Sequence, residues 1–526
     1  MKLAIICYRN NGNKSAFQNP FQVKIQDRNT GQESRIGNQE RGKYLLTNNL
    51  TTDNLRTIMR FYGRKKELAI IDSWFKAARK GALFTAIVGR RRTGKTRLWL
   101  EASKKMNNCL YLFCLPGPFK KTLDQVEPQL YALGFTSVPQ DLTQFFKAVS
   151  LFLSKGETLT IFFDEVQNLF LEERGELALF QHYLDEFKRK QYPCLIVFCG
   201  SVRTLLHKIL FEEHSPLYGR LGQQIRLQPL GFYVLRNIFV DHGVDDPKQH
   251  LSLFSMFGTN PRFYEILIQF DLLKARTEHI LEKGWLGLTG LFSDELNKML
   301  LPELKKSSHV YTGILSAMAK GIQDATEIAN QAGINTTSLG NYLPFLIDTL
   351  DLVYKDIPVT ERPTSKNSRY VVKDPFILFW YRYMERNKTL LEMGQYRKVI
   401  RQIVEDLPNL EGKVLEMIFR EKILADPPME FDAAGPVFKN RERIEIDFLL
   451  AAEKENRVHA YEIKRGEVDR RAELSKLINK VARLNFKSIH LHEPQITGEV
   501  LTIEDIYTGI GGQKGRRIKR SSTLLT

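Results

Sequence analysis

Cysteine is scarce in this chain. It supplies five of 526 residues, with no metal-ligand spacing among them. That argues against a disulfide scaffold and a cysteine-held metal, and for a reducing, cytoplasmic setting. Long apolar runs are missing too. No stretch approaches the roughly 20 apolar residues of a membrane span. The apolar Leu3–Cys7 is too short for a secretory h-region and precedes no cleavage site. No membrane partner is expected. No internal repeat is visible, which excludes a repeat array. Acidic residues fall short of basic ones, 60 against 77, leaving a net charge of +17. The deficit favours a polyanionic partner such as nucleic acid over the plainer reading of a generally basic surface.

What is present divides along the chain. The length suits roughly two to four domains. Residues 1–58 are rich in Asn, Gln, Thr, Arg and Gly with little periodicity, and read as a disordered extension. Met59 opens "MRFYGRKKELAII", which reads as the start of a domain over 59–230. Four apolar runs follow there, at Leu83–Gly89, Cys109–Leu115, Leu159–Glu165 and Cys194–Gly200. They do not alternate, as buried parallel strands do not, and helical segments separate them. The spacing predicts an α/β, doubly wound parallel sheet. Residues 231–300 read as helical, 301–385 as a helix-turn-helix plus two short strands, 386–410 as a helical connector and 411–510 as mixed α/β. The tail over 511–526 is a basic arm without acids.

"GRRRTGKT", Gly89–Thr96, fits the phosphate-loop pattern G-x-x-x-x-G-K-[ST], with a strand run before it and a helical pattern after it. Gly89 and Gly94 allow the backbone to turn N–H groups onto phosphate oxygens. Lys95 brings a charge to the β/γ-phosphates of ATP, and Thr96 a hydroxyl to Mg²⁺. A later strand run ends in Asp164 and Glu165. Asp164 is expected to hold Mg²⁺ and Glu165 to polarise the attacking water, which together suggest hydrolysis. Ser201, ending the next strand, either contacts the γ-phosphate or caps the following helix. Arg220 either reaches the γ-phosphate of a neighbouring subunit, implying self-association, or is a surface arginine.

With "FYGRKKEL", "IFFDE", "FCGS", "SPLYGR" and "FGTNPRFYE" in this order, residues 59–385 resemble the AAA+/STAND-type ATPases of the archaeal ATPase family. The resemblance implies a P-loop NTPase with a helical lid and a winged helix. It puts Gly63 and Arg64 by the adenine. The G-x-x-P turn Gly258–Pro261 becomes a nucleotide sensor in the lid, with Arg262 as a second sensor.

Ala329, Gly333 and Leu339 have the spacing of a helix-turn-helix. Either Thr336, Thr337 and Asn341 face DNA, or the unit serves as a lid or dimer contact. Pro344 is expected to kink or shorten its second helix. Further on, "IEIDFLL" and "RVHAYEIKRG" read as a hairpin that brings Asp447 near Glu462 and Lys464. Charges on apolar strands need partners or a metal. Two carboxylates can bind Mg²⁺ while a lysine activates water and offsets phosphate charge. The D-x14-E-x-K pattern resembles the PD-(D/E)XK nuclease core, and Glu416 matches the acid of that fold's first helix. The resemblance implies a C-terminal restriction-endonuclease-like α/β domain, with Glu416, Asp447 and Glu462 as metal ligands and Asp447, Glu462 and Lys464 as catalytic residues. Ile446 stands where that pattern has proline. An intact but silent nuclease-like fold, and a plain charge-paired hairpin, remain open alternatives.

Overall fold

In the computed structural model the described residues run from 59 to 508, without 171–174, 202–208, 211–212, 287–289, 305–307, 363, 366 and 440–443. The extension over 1–58 and the basic arm over 511–526 lie outside them. Among the described residues no helix is long and apolar enough to cross a membrane.

Strands β1 (Leu83–Gly89), β2 (Cys109–Phe113), β3 (Leu159–Asp164), β4 (Cys194–Ser201) and β5 (Gln224–Leu227) form one five-stranded sheet in the order β2-β3-β4-β1-β5. Every pairing is parallel. β3 and β4 are buried along their whole length and β1 along nearly all of it, which is why their sequences do not alternate. β5 is an edge strand and does alternate. Successive side chains serve opposite faces. Phe162 packs with Ile71, Trp74, Leu98 and Trp99 on one face, and Phe163 with Phe145, Phe146 and Phe180 on the other. The Trp99 and Phe162 rings stack at 4.5 Å.

Beyond β5 the elements among the described residues are helices as far as a two-stranded ribbon. The helix-turn-helix consists of α1 (Ala325–Gln331) and α2 (Thr336–Pro344). Gly333 makes the turn at φ +69, and Ala329 and Leu339 are buried between the helices. Asn335 caps α2 by accepting the Ser338 N–H at 2.7 Å. Pro344 ends the regular helix, and a wider π-helical turn, Phe345–Thr349, carries the chain to the ribbon. The ribbon is β6 (Val353–Asp356) paired antiparallel with β7 (Arg369–Val372).

Helix α3 (Tyr396–Ala425) is continuous over 30 residues. The division expected at 410/411 falls inside it. Its apolar stripe (Val399, Ile403, Leu407, Leu410, Val414, Ile418) never breaks, so nothing interrupts the helix there. Strands β8 (Ala433–Lys439), β9 (Ile444–Ala452) and β10 (Arg457–Lys464) follow as an antiparallel meander. Helix α4 (Arg470–Ala482) then returns the chain so that β11 (Gln495–Thr502) lies parallel to β10. The sheet order is β11-β10-β9-β8. The β8–β9 register jumps from Gly435 opposite Leu449 to Val437 opposite Ile446. Asp447 and Phe448 therefore share Pro436 as their partner in a β-bulge, a device that re-aims a side chain.

One face of this second sheet (Phe448, Tyr461, Leu501) joins a single apolar cluster with α3, the ribbon, the helix-turn-helix and the helices after β5. The other face packs on α4 through Leu477 and Val481. The five-stranded sheet has its own two clusters.

Trp99→Ala is expected to cost about 3–5 kcal/mol through the cavity it leaves. Thermal unfolding followed by circular dichroism checks this; a variant melting with the parent would show that the stacked pair does not carry the packing.

Candidate functional site

The turn from β1 into the helix Lys95–Ser103 is shaped by its glycines. A Cβ on Gly89 would lie 2.6 Å from the Leu227 carbonyl oxygen of β5, so no larger residue fits. Gly94 sits at φ +90 and Arg92 at φ +68. The buried Lys95 ammonium folds over the loop and donates to the carbonyls of Gly89 and Arg90, both at 3.1 Å. The Thr96 hydroxyl donates to Asp164 Oδ2 at 2.6 Å. The Tyr111 hydroxyl donates to the same oxygen at 2.8 Å, and the Glu165 N–H to Oδ1 at 3.0 Å. Thr96 and Asp164 are thus two adjacent hard oxygen donors of the kind Mg²⁺ takes.

Glu165 adopts the left-handed backbone region, φ +50, and its carboxylate accepts from Gln167. β4 lies between β1 and β3, and its last residue, Ser201, pairs in register with Gly89. The buried Ser201 hydroxyl has no hydrogen-bond partner among the described residues. It lines a small cavity with Arg90 and Arg91, closed by Met299, Leu350 and Leu352. Much of the helix that Ser201 would cap lies outside the described residues.

Gly63 also needs to be glycine: its φ is +67, and a Cβ would meet Val234 at 2.9 Å. Arg64 donates to the carbonyls of Thr93, at 3.2 Å, and Gln228, at 2.6 Å, and pairs with Glu67. Its guanidinium thus ties the phosphate loop to the segment after β5. Pro261 opens the helix Pro261–Gln269, which Asn260 caps. Arg262 pairs with Glu265 and stands close enough to Arg92 to act on its charge. Burial first, then Arg91 and Arg262, hold the Arg92 guanidinium below its ordinary pKa. Arg220 is held within its own chain by Asp185, at 2.9 Å through both Nε and a terminal nitrogen. Reaching a neighbouring chain requires leaving that pair.

Two phosphate-loop arginines reach out of the sheet domain. Arg90 pairs with the buried Asp374 at 3.0 Å, and Arg92 with Glu295. Asp374 also caps the short helix Pro375–Phe379, accepting the Phe376 N–H at 3.1 Å. Gly258, at φ +60, lies against Asp374 too closely for any side chain. The Gly258–Pro261 turn, Asp374 and the phosphate loop are therefore in one contact set.

Residues 61–262 match the family described as an ATPase domain predominantly from Archaea. The chain carries an ATPase domain. Residues 380–475 match a second family, described as "Archaea bacterial proteins of unknown function". An uncharacterized protein of Methanocaldococcus jannaschii is 28% identical over 69% of this chain and 77% of its own length. Among solved structures, a Walker-type ATPase of Pyrococcus abyssi is similar at 19% identity and a TM-score of 0.45, covering 61% of this chain and 96% of that one. The Aeropyrum pernix ORC2 protein is similar at 14% identity and a TM-score of 0.43, covering 66% and 96%.

A second cluster lies outside the ATPase domain. Asp447, on the bulge, accepts the Ile463 N–H at 2.6 Å. Burial raises its carboxyl pKa, this hydrogen bond opposes the rise and the Glu462 carboxylate adds to it. Glu462 is buried, and its Oε1 accepts from Lys464 at 2.7 Å. Lys480 of α4 contacts both Glu462 oxygens, at 3.2 and 3.0 Å. Glu416, on α3, lies within electrostatic reach of Asp447; desolvation first, then that carboxylate, raises its carboxyl pKa. Among the described residues no three acidic, histidine or cysteine side chains converge to hold a metal. The expected trio Glu416, Asp447 and Glu462 is not gathered: strand alternation puts Glu462 with Val458 and Ala460 on the α4 face, while Glu416 comes from α3 on the other.

Four residues at these sites escaped sequence reasoning: Tyr111, Gln167, Asp374 and Lys480. Only Gln167 had a local signal, two residues beyond Glu165. Lys95→Ala in the ATPase domain is expected to abolish phosphate release. Glu165→Gln is expected to keep nucleotide binding and slow turnover by about 10²–10⁴-fold. Phosphate release and fluorescent-nucleotide titration on each variant check both; unchanged turnover in either would remove that residue from the site.

Proposed function

We propose that this chain is an ATP-hydrolysing switch whose C-terminal domain acts on DNA as a metal-dependent nuclease. Thr96 and Asp164 are the residues to hold Mg²⁺ with the nucleotide, and the ion would neutralise charge building on the phosphate oxygens. Lys95 supplies a fixed positive charge, and Glu165, steadied by Gln167, orients the attacking water.

The observation that carries the coupling is the contact chain leading away from the phosphate loop. Asp374 and Glu295 hold two loop arginines that a bound phosphate also attracts. Arg226 of β5 donates to the Asp348 carbonyl, at 2.9 Å, just before the ribbon. The ribbon in turn grips the second sheet. Val359 donates to the Pro436 carbonyl at 2.9 Å, and Arg420 of α3 forms a two-bond pair with Asp356 at 2.7 and 2.9 Å. Pro436 is the residue opposite the Asp447 bulge. We read the helix-turn-helix and ribbon as a winged helix used as this linkage. The exposed face of α2 (Thr336, Thr337, Asn341) carries no charge, so it offers phosphates little.

For the nuclease, support comes from the element order: helix, three antiparallel strands, helix, and a parallel fourth strand. That order resembles the PD-(D/E)XK core, with Asp447 and the Glu462–Lys464 pair on its central strands. Asp447 and Glu462 are the two residues left to hold a metal, hard carboxylate oxygens of the kind Mg²⁺ or Mn²⁺ takes, and the Lys480 ammonium on both Glu462 oxygens marks a cation's place there. The same lysine contacts favour a second reading, a nucleotide-gated DNA-binding protein whose nuclease-like site is silent.

Incubating the chain with Mg²⁺ or Mn²⁺, ATP, and plasmid or single-stranded DNA separates the two. The nuclease reading expects cleavage by the wild type, none by Lys464→Ala, and altered ATP dependence in Lys95→Ala. DNA left intact by a wild type that hydrolyses ATP would leave the silent-site reading.

A further inference from the structure

We propose that Lys480 is a positioning residue of the Asp447–Glu462 site: it occupies the cation's place on Glu462, and a divalent cation binds by displacing it. The inference rests on reading those two carboxylates as a metal site.

Charge and geometry lead there together. Glu462 is deeply buried, with 7% of its side chain exposed, and two ammonium groups meet it. A single lysine is enough to balance one buried carboxylate. The second is balanced by Asp447, which feels Glu462, Lys464 and Lys480 at once. Ionised, these four carry no net charge; Glu473 of α4 also acts on both lysines, but it is itself paired with Lys476. A divalent cation adds two positive charges to a half-buried cluster, which is costly unless a lysine leaves.

The two lysines differ in their freedom to do so. Lys464 lies two residues from Glu462 on β10, so the strand itself holds it on the same face. Lys480 reaches the carboxylate from α4, across the layer, with no strand to hold it there; the two side chains are similarly exposed, 36% for Lys464 and 32% for Lys480. Rotation of its flexible stem takes the ammonium into water. It also makes the more cation-like contact, touching both oxygens, whereas Lys464 touches Oε1. Once displaced, Lys480 stands beside the metal with three donors, suited to a phosphodiester oxygen. It thus couples metal binding to nucleic-acid contact.

Mn²⁺ titration of the full chain without nucleotide, followed by electron paramagnetic resonance, tests this directly. The relevant binding is the component that Asp447→Asn removes. Lys480→Met is expected to tighten it about tenfold, the scale on which groups around a metal's ligands act. Lys480→Arg, which keeps a cation on Glu462, is expected to restore the wild-type affinity. Equal affinity in the wild type and Lys480→Met, with Asp447-dependent binding present in both, overturns the role of Lys480 alone. Absence of Asp447-dependent binding in every variant overturns the metal reading and this inference with it. Matched melting curves ensure that the variants compared are folded.

Discussion

The proposed coupling depends on one contact, the ion pair between Arg90 and Asp374. Its side chains are only 14% and 5% exposed. Removing one partner from a pair so placed leaves the other charge nearly unsolvated. Arg90 belongs to the loop that receives phosphate, and Asp374 starts the helix beyond the ribbon. Gly258 abuts Asp374, so the Gly258–Pro261 turn meets the same point. A carboxylate and a phosphate are rivals for one guanidinium, and in the proposed switch that rivalry lets the nucleotide site act on the distant layers without deforming its own sheet.

The layers differ in how they are joined. From the helices after β5 to the second sheet, one apolar cluster runs without interruption, so these parts are expected to move as a body. The five-stranded sheet is packed on clusters of its own. Contacts at the phosphate loop, Arg90 with Asp374 and Arg92 with Glu295, are ionic. Ionic contacts can be exchanged for others of similar strength, whereas separating packed apolar surface is costly in water. A polar junction beside the nucleotide and an apolar one elsewhere suits a switch.

Much of the ATPase domain was legible in sequence because its chemistry is local. Gly89, Gly94, Lys95 and Thr96 lie within eight consecutive residues, and Asp164 ends an apolar run buried on both faces. The strands and their order along the chain followed from apolar runs for the same reason. The second sheet was legible as a hairpin carrying Asp447, Glu462 and Lys464. Pairings between distant residues were not legible. Arg90 and Asp374 are 284 positions apart, and nothing in either neighbourhood names the other. Lys480 looks like any solvated lysine on an amphipathic helix until the sheet brings Glu462 beneath it. The bulge that places Asp447 opposite Pro436 arises from a register jump between strands, which single-strand alternation does not encode. The unbroken α3 erased a domain division because packing, not composition, decides where that helix ends.

Amide hydrogen exchange of the full chain, with and without saturating ATP, measures the coupling at its far end. Faster exchange is expected at Val359 and along β8 when nucleotide is bound, with loss of that response in Asp374→Asn. Exchange there that stays unchanged, with nucleotide shown to occupy the site, would contradict the coupling.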